Sequence, residues 1–239
     1  MKKLSFLLLL LAATLSFTAC DKDDDTDTPI ALNDPKVTFE IVVSELKPGV
    51  TQSQILQNDK DMEENFVKKQ KGFLKRETAF SKDGKYYFAF VHWETLEDAE
   101  AAGAAFFQTT YATSGANLAT AILFNHYVVG NNYNKGTLSY DPLATGNTYE
   151  AVVSNKKAAA SWSDLTANDK AMGDNFVSQQ PGFINRETAV SKDNTQFFAI
   201  VRWATLEDAE NAGTAFFQTP YATAGADLAD LVLFNHFVK

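Results

Sequence analysis

The heptapeptide GFLKRET at residues 72–78 and the octapeptide WETLEDAE at residues 93–100 decide how this chain is organised, because both occur again. Residues 182–188 read GFINRET and residues 203–210 read WATLEDAE, in each case 110 positions later. The match continues without a gap for 93 positions, of which 53 are identical. Self-similarity at a fixed separation indicates one structural unit made twice.

The first part of the repeated unit has the pattern of a strand, a helix and a hairpin. Apolar residues alternate at 37–44, which is the period of a strand with one buried face. A helix is predicted between Thr51, a capping residue, and Gly72, which favours a helix end. A hairpin then joins a strand at 73–81 to a strand at 86–93. The latter is apolar on both faces, so we expect both faces to be covered.

The second part of the unit has the pattern of a helix followed by a last strand. Thr95 is placed to cap the helix. Ala102 and Gly103 make its inner face thin, so we expect it to lie close to the sheet. A break or short turn is expected at 109–115, before a last strand at 121–128. The order strand, helix, strand, strand, helix, strand is the split βαβ, or ferredoxin-like, unit, and it predicts an α+β fold.

Each repeat also resembles a known family through two motifs, Gly-Phe-x-x-Arg-Glu-Thr and Trp-x-Thr-Leu-Glu-Asp-Ala. Both are similar to motifs of the antibiotic-biosynthesis-monooxygenase family of dimeric α+β barrels, in which two units pair their sheets. The resemblance implies that two ferredoxin-like repeats, at 36–130 and 147–239, pair as an intramolecular dimeric α+β barrel. Residues 131–146 are then the linker between them.

The residues that serve haem-degrading members of that family are missing here. Those members carry an Asn on the first strand, a Trp in the second helix and a His beyond it. The first strands here offer Glu40 and Glu150, the helices have Phe106–Phe107 and Phe216–Phe217 in place of the Trp, and no His follows. We therefore expect no cofactor. No cluster has the spacing of metal ligands, so no metal site is predicted either.

The amino terminus has the form of a secretory leader. Residues 1–19 combine a basic start with an apolar run that is too short to be a transmembrane helix. Together with Cys20 the segment resembles a bacterial lipoprotein signal, whose cleavage leaves the cysteine lipidated. Residues 20–35 are predicted to be an acidic tether, and Lys22 followed by acidic residues resembles the surface-export signal of Bacteroidota lipoproteins. We expect a protein anchored in the outer membrane through Cys20 and facing the cell exterior.

Two histidines are the strongest candidates for polar site residues. His126 and His236 lie on the predicted last strands, in line with large apolar residues, where a buried imidazole needs a hydrogen-bond partner. They are either ligand-binding residues brought into one cavity or core histidines satisfied by hydrogen bonds. His92 is replaced by Arg202 in the second repeat, and we expect it at the surface.

Two further pairs are ligand-binding candidates. Trp93 and Trp203 end the third strand of each repeat, and they are either site residues or core residues where strand meets helix. Arg76 and Arg186 are each followed by a Glu, and neighbours on a strand point to opposite faces. They either reach a ligand or form cross-strand pairs.

Composition leaves two classes of function. The 239-residue chain has a net charge of −9 and no basic run, which argues against nucleic acid as a partner. No Ser-centred, Cys-centred or phosphate-binding motif is present. We favour a lipid-anchored, surface-exposed accessory or small-ligand-binding protein that is not an enzyme. The alternative is a cofactor-independent, monooxygenase-like enzyme acting on an aromatic or quinone-like small molecule.

Overall fold

The described part of the chain forms a closed barrel of eight antiparallel strands with helices on its outer face. A computed structural model describes residues 36–129 and 147–239, so the predicted leader 1–19, the tether 20–35 with Cys20, and the linker 131–146 lie outside the described residues. None of the helices in the described ranges is long and apolar enough to cross a membrane. The elements are β1 (Thr38–Leu46), α1 (Gln52–Asn65), β2 (Phe73–Ser81), β3 (Tyr86–Trp93), α2 (Leu96–Phe106), α3 (Thr110–Leu118), β4 (Ala119–Val128), β5 (Thr148–Lys156), α4 (Trp162–Asn175), β6 (Phe183–Ser191), β7 (Gln196–Trp203), α5 (Leu206–Phe216), α6 (Pro220–Leu228) and β8 (Ala229–Val238).

The strands follow the order β1-β3-β2-β8-β5-β7-β6-β4 around the barrel, and β4 closes it against β1. Within the first repeat the order is β4-β1-β3-β2, and the second repeat has the same order in its own strands. The two repeats meet at two short joints of two paired positions each. Phe80 faces Val238 in the joint of β2 with β8, and Tyr127 faces Ser191 in the joint of β4 with β6.

Short polar side chains start the helices as the sequence predicts. Thr51 Oγ1 accepts a hydrogen bond from the Gln54 amide, and the Gln54 side chain accepts one from the Thr51 amide, which completes a capping box. Thr95 Oγ1 likewise accepts from the Asp98 amide at the start of α2.

The predicted break at 109–115 is wrong, because a third helix, α3, occupies this stretch and β4 starts at Ala119. Thr109 caps the helix by accepting from the Ala112 amide. Its small residues include two alanines, Ala112 and Ala116, which favour a helix in spite of the neighbouring Gly. In the second repeat Pro220 stands in the first turn of α6, where a missing N–H breaks no helical hydrogen bond.

Aromatic and aliphatic side chains from both repeats fill the barrel interior. Phe39, Phe88 and Phe90 pack there with Tyr127 and Phe237, and the rings of Phe88 and Phe237 stack with their centres 4.7 Å apart. The opposite face of β3 packs under the helices. The prediction that both faces of this strand are covered is confirmed. The interior is thus a packed core.

A group of charged residues lies within this core. Arg202 donates hydrogen bonds to both Glu77 and Glu187, and His92 Nε2 lies 2.9 Å from Glu187 Oε1. His92 is 0 % exposed and Arg202 1 %, so the prediction that His92 is a surface residue is wrong. Burial would raise the pKa of Glu187, but His92 and Arg202 lower it to about 2. Burial would likewise raise the pKa of Glu77, but Arg202 lowers it to about 2.

Candidate functional site

A cavity of about 520 Å³ lies on the outer side of the sheet, between the strands of the first repeat and helices α1, α2 and α3. We call it the helix–sheet cavity. Its lining is mainly apolar and includes a group of large side chains, namely Met62, Phe66, Trp93, Phe106, Phe107 and Phe124. Small-molecule sites typically have this size and this apolar character.

Small residues on two helices leave the space for this cavity. Ala102 of α2 packs against Val91 and Trp93 of β3, as expected for a helix close to the sheet, and Ala102 and Gly103 also line the cavity. A Cβ atom on Gly103 would lie 3.9 Å from Phe124 Cζ, so there is room beside it. Helix α3 contributes Tyr111 and Gly115 to the lining. Because this helix was not foreseen, its part of the cavity wall was not predicted, although the candidates Trp93 and Arg76 do line the cavity.

A buried ion-pair group lies in the cavity wall. Arg76, pointing outward from β2, donates to Asp59 at 2.8 Å and to Glu63 at 3.1 Å, and its guanidinium lies 3.4 Å from Tyr87 Oη. Burial would lower the pKa of Arg76, but Tyr87 and Asp59 raise it overall. Burial raises the pKa of Tyr87, so its phenol stays neutral. The expected cross-strand pairing of Arg76 is replaced by pairing with helix α1, while Glu77 on the opposite face points into the barrel.

Glu40 and His126 form a second polar contact in this half of the molecule. Glu40 lines the cavity from β1, and its Oε2 lies 3.3 Å from His126 Nε2 on the neighbouring strand. His126 is buried. The second repeat has the same contact, since His236 Nε2 lies 3.1 Å from Glu150 Oε2, and His236 is partly exposed. Three strands separate β4 from β8 in either direction around the barrel, so the two histidines do not share one cavity.

Trp93 and Trp203 both carry an indole N–H without a hydrogen-bond partner in the described ranges. Trp93 is 2 % exposed, packs edge-on against Phe73, and lines the cavity. A buried donor without a partner costs free energy. Trp203 and Arg186 lie in the second repeat, where Arg186 donates to Asp169 at 2.9 Å.

The residues around the cavity do not fit haem as the haem-degrading branch holds it. Its lining contains no His and no Cys, and Glu40 and Phe106 stand where that branch has polar and indole side chains. Across residues 36–129 and 147–239 no three His, Cys, Asp or Glu side chains are grouped so that they could hold a metal ion.

The fold is shared with solved structures at low sequence identity. An anthrone oxidase-like protein is 15% identical, with a TM-score of 0.63, over 87% of this chain and 93% of its own. A variant of the chlorite dismutase from Candidatus Nitrospira defluvii is 16% identical, with a TM-score of 0.58, over 87% of this chain and 93% of its own. A proposed monooxygenase from Lactobacillus acidophilus NCFM is 13% identical, with a TM-score of 0.54, over 85% of this chain and 93% of its own. No protein-family model and no curated protein matches the chain.

These likenesses show a mixed α+β fold of the monooxygenase-like and chlorite dismutase-like kind. They also correct our main functional expectation, a lipid-anchored accessory or ligand-binding protein that is not an enzyme. Structures that share the fold belong to monooxygenase-like and chlorite dismutase-like proteins, which favours the enzymatic alternative.

Proposed function

We propose that the protein is a cofactor-independent, monooxygenase-like enzyme that oxidises an aromatic or quinone-like small molecule in the helix–sheet cavity. The observation that carries this proposal is the cavity itself, which combines aromatic walls with a few polar groups. We also propose that each repeat is a ferredoxin-like unit and that the two form an intramolecular dimeric α+β barrel. The strand order β4-β1-β3-β2, repeated in the second half, supports this architecture.

Glu40 is the base that the geometry favours. Asp59 lines the same cavity, but both of its oxygens accept hydrogen bonds from Arg76. Glu40 lines the cavity, and among the described residues His126 alone contacts its carboxylate, at one oxygen. The carboxylate can therefore accept a proton, and the imidazole can position it. The ring of Trp93 lies in the same lining, where it can pack against an aromatic substrate.

A ketone with an acidic methylene group is the substrate class that suits these groups, and anthrone is its simplest three-ring example. Glu40 removes one methylene proton, and the resulting carbanion reduces dioxygen and forms a carbon–oxygen bond. The oxygen–oxygen bond then breaks, so that one oxygen atom remains as a new carbonyl group. The second oxygen atom leaves as water with the two hydrogens that the methylene carried. The methylene group supplies all four electrons that reduce dioxygen, so the reaction needs no other reductant.

Anthrone oxidation tests this function directly. We expect the full chain to form anthraquinone at pH 7 faster than buffer alone, followed by absorbance. Glu40→Gln should lower the rate at this cavity by roughly 10²–10⁴-fold, because the general base is lost. Glu45→Gln, on an exposed residue of the same strand, serves as the matched control and should keep the wild-type rate. The proposal would be contradicted if the wild-type protein neither oxidised anthrone nor bound anthraquinone-type ligands.

We propose that the enzyme is attached to the outer membrane through a lipid on Cys20 and faces the cell exterior. The leader at 1–19 and the acidic tether at 20–35 support this location. The membrane is then a partner only through the anchor.

A further inference from the structure

We infer that the second repeat holds a second binding site of the same chemical class, on the outer face of its own strands beneath α4, α5 and α6. The inference rests on the proposed function for the class of ligand, an aromatic or quinone-like compound. The evidence that the site exists comes from comparing the two repeats.

The lining of the helix–sheet cavity differs little between the repeats. Of its 27 residues only four change at the position 110 residues later, which leaves 23 the same. The changes are Ile55 to Leu165, Tyr87 to Phe197, Thr120 to Asp230 and Ala121 to Leu231.

The barrel core differs far more between the repeats. Eight of its buried hydrophobic residues belong to the first repeat, and only Val43, Ala79 and Phe88 are the same in the second. These core residues are more deeply buried than the exposed cavity residues Phe107 and Phe124. Burial alone therefore does not explain why the cavity lining is so similar, whereas a ligand site in each repeat does.

The polar geometry of the cavity recurs as well. Arg186 pairs with Asp169 as Arg76 pairs with Asp59, and His236 contacts Glu150 as His126 contacts Glu40. Trp203 is 1 % exposed, and its indole N–H has no partner in the described ranges.

The changed residues define how the second ligand differs. Phe197 lacks the phenol that Tyr87 places beside Arg76, so the inner end of the second site is more apolar. Leu231 and Asp230 replace Ala121 and Thr120 near the exposed start of the last strand, which adds bulk and a negative charge there. The second site thus takes a smaller aromatic carbonyl compound without an anionic group.

Binding of 1,4-naphthoquinone to the full chain tests this inference. Gly103→Leu and Gly213→Leu each place a branched side chain in one site, since a Cβ there would meet only Phe124 at 3.9 Å or Phe234 at 3.5 Å. We expect about two equivalents of quinone bound by the wild type, about one by each single variant and none by the double variant, as for two separate pockets. Far-UV circular dichroism and the urea midpoint serve as folding controls.

Fluorescence gives a second measurement that does not depend on the leucine variants. Trp162 on α4 is a third indole, so the variant used carries both Trp93→Phe and Trp162→Phe and emits from Trp203 alone. Quinone should quench this emission. Two results would overturn the second site and leave the proposed function standing. The first is a wild-type protein that binds one equivalent of quinone, which Gly103→Leu alone removes. The second is the absence of quenching of Trp203 emission by quinone. No binding by the wild type would overturn the second site, while the proposed function is decided by anthrone oxidation.

Discussion

At the scale of residues, the position shared by His92 and Arg202 carries the main difference between the two halves of the barrel core. Both side chains point into the interior, where Arg202 lies between Glu77 and Glu187. Alternation along β3 places His92 in line with Phe88 and Phe90, so strand periodicity contained the signal for its burial. The exchange of His for Arg between the repeats suggested a surface position instead, because buried arginine is rare unless it is paired.

Arg202→Met should destabilise the protein strongly. The change removes the cation that contacts both buried carboxylates, leaving Glu77 with its lysine neighbours and Glu187 with His92. We expect the free energy of unfolding to fall by about 3–5 kcal/mol, measured by urea denaturation. Lys82→Met, which breaks only an exposed pair with Glu210, is the control and should leave the urea midpoint unchanged.

Acid should weaken the fold through the same carboxylates. The pKa values of Glu77 and Glu187 are lowered in the folded protein from 4.5 to about 2, so the unfolded chain binds more protons between these pH values. Their contribution to stability is present above pH 4.5 and is lost as the pH falls towards 2. Urea midpoints measured from pH 6 to pH 2 should decline mainly in that window. A midpoint that stays constant there would rule out this role for the cluster.

At the scale of elements, the repeat and its hydrophobic spacing predicted the strands and two helices of each half well. Helix α3 was missed because its Thr, Ser and Gly residues look like a turn when taken alone, while its alanines and its Thr109 cap favour a helix. The sequence placed Arg76 on a strand but did not predict the ion-pair group that it forms in the cavity wall. Its partners on α1 depend on how the helix packs over the sheet, which sequence periodicity does not specify.

Gly72→Ala tests the link between the end of the first helical segment and the start of α2. Gly72 has a φ of +74°, and a Cβ atom there would lie 2.6 Å from the Cβ of Asp98, which is buried beside its cap Thr95. We expect a loss of about 2–4 kcal/mol from the unfavourable φ and the steric overlap together. Gly115→Ala, in a helix with open space around it, should be neutral or stabilising. Thermal denaturation of both variants checks the contrast.

At the scale of the whole molecule, the barrel was expected from the family resemblance, and the duplication supplies the two units that such a barrel needs. The structure completes that argument with two joints of two residue pairs each and a core shared between the repeats. The location of the cavity could not be predicted in this way, because the pairing of two sheet faces does not specify the space between the sheet and its helices. It lies outside, where small helix residues leave space above the sheet.

The two repeats should differ when expressed as separate fragments. Each exposes an apolar sheet face and should self-associate. The fragment 147–239 retains Arg202 with Glu187, whereas the fragment 36–129 leaves Glu77 without Arg202. We therefore expect the second fragment to form the more stable dimer in sedimentation equilibrium. Two folded, monomeric fragments would show that the repeats do not need each other.

Cys20→Ser should release the protein from membranes if the predicted lipid is its anchor. We expect the variant in the soluble fraction after cell fractionation, with the wild type in the membrane fraction. Retention of the variant in the membrane after its leader has been removed would contradict the anchor.

The joint of β2 with β8 also has a consequence for the order of events during biosynthesis. Its partners, Phe80 and Val238, are separated by 158 positions in the chain. At ribosomal speeds of 5–20 residues per second, the second partner is added roughly 8–30 s after the first. During that delay the first sheet has no strand from the second repeat to cover its aromatic face. One face of the first sheet therefore stays uncovered for longer than in a barrel closed by strands that are neighbours in the sequence.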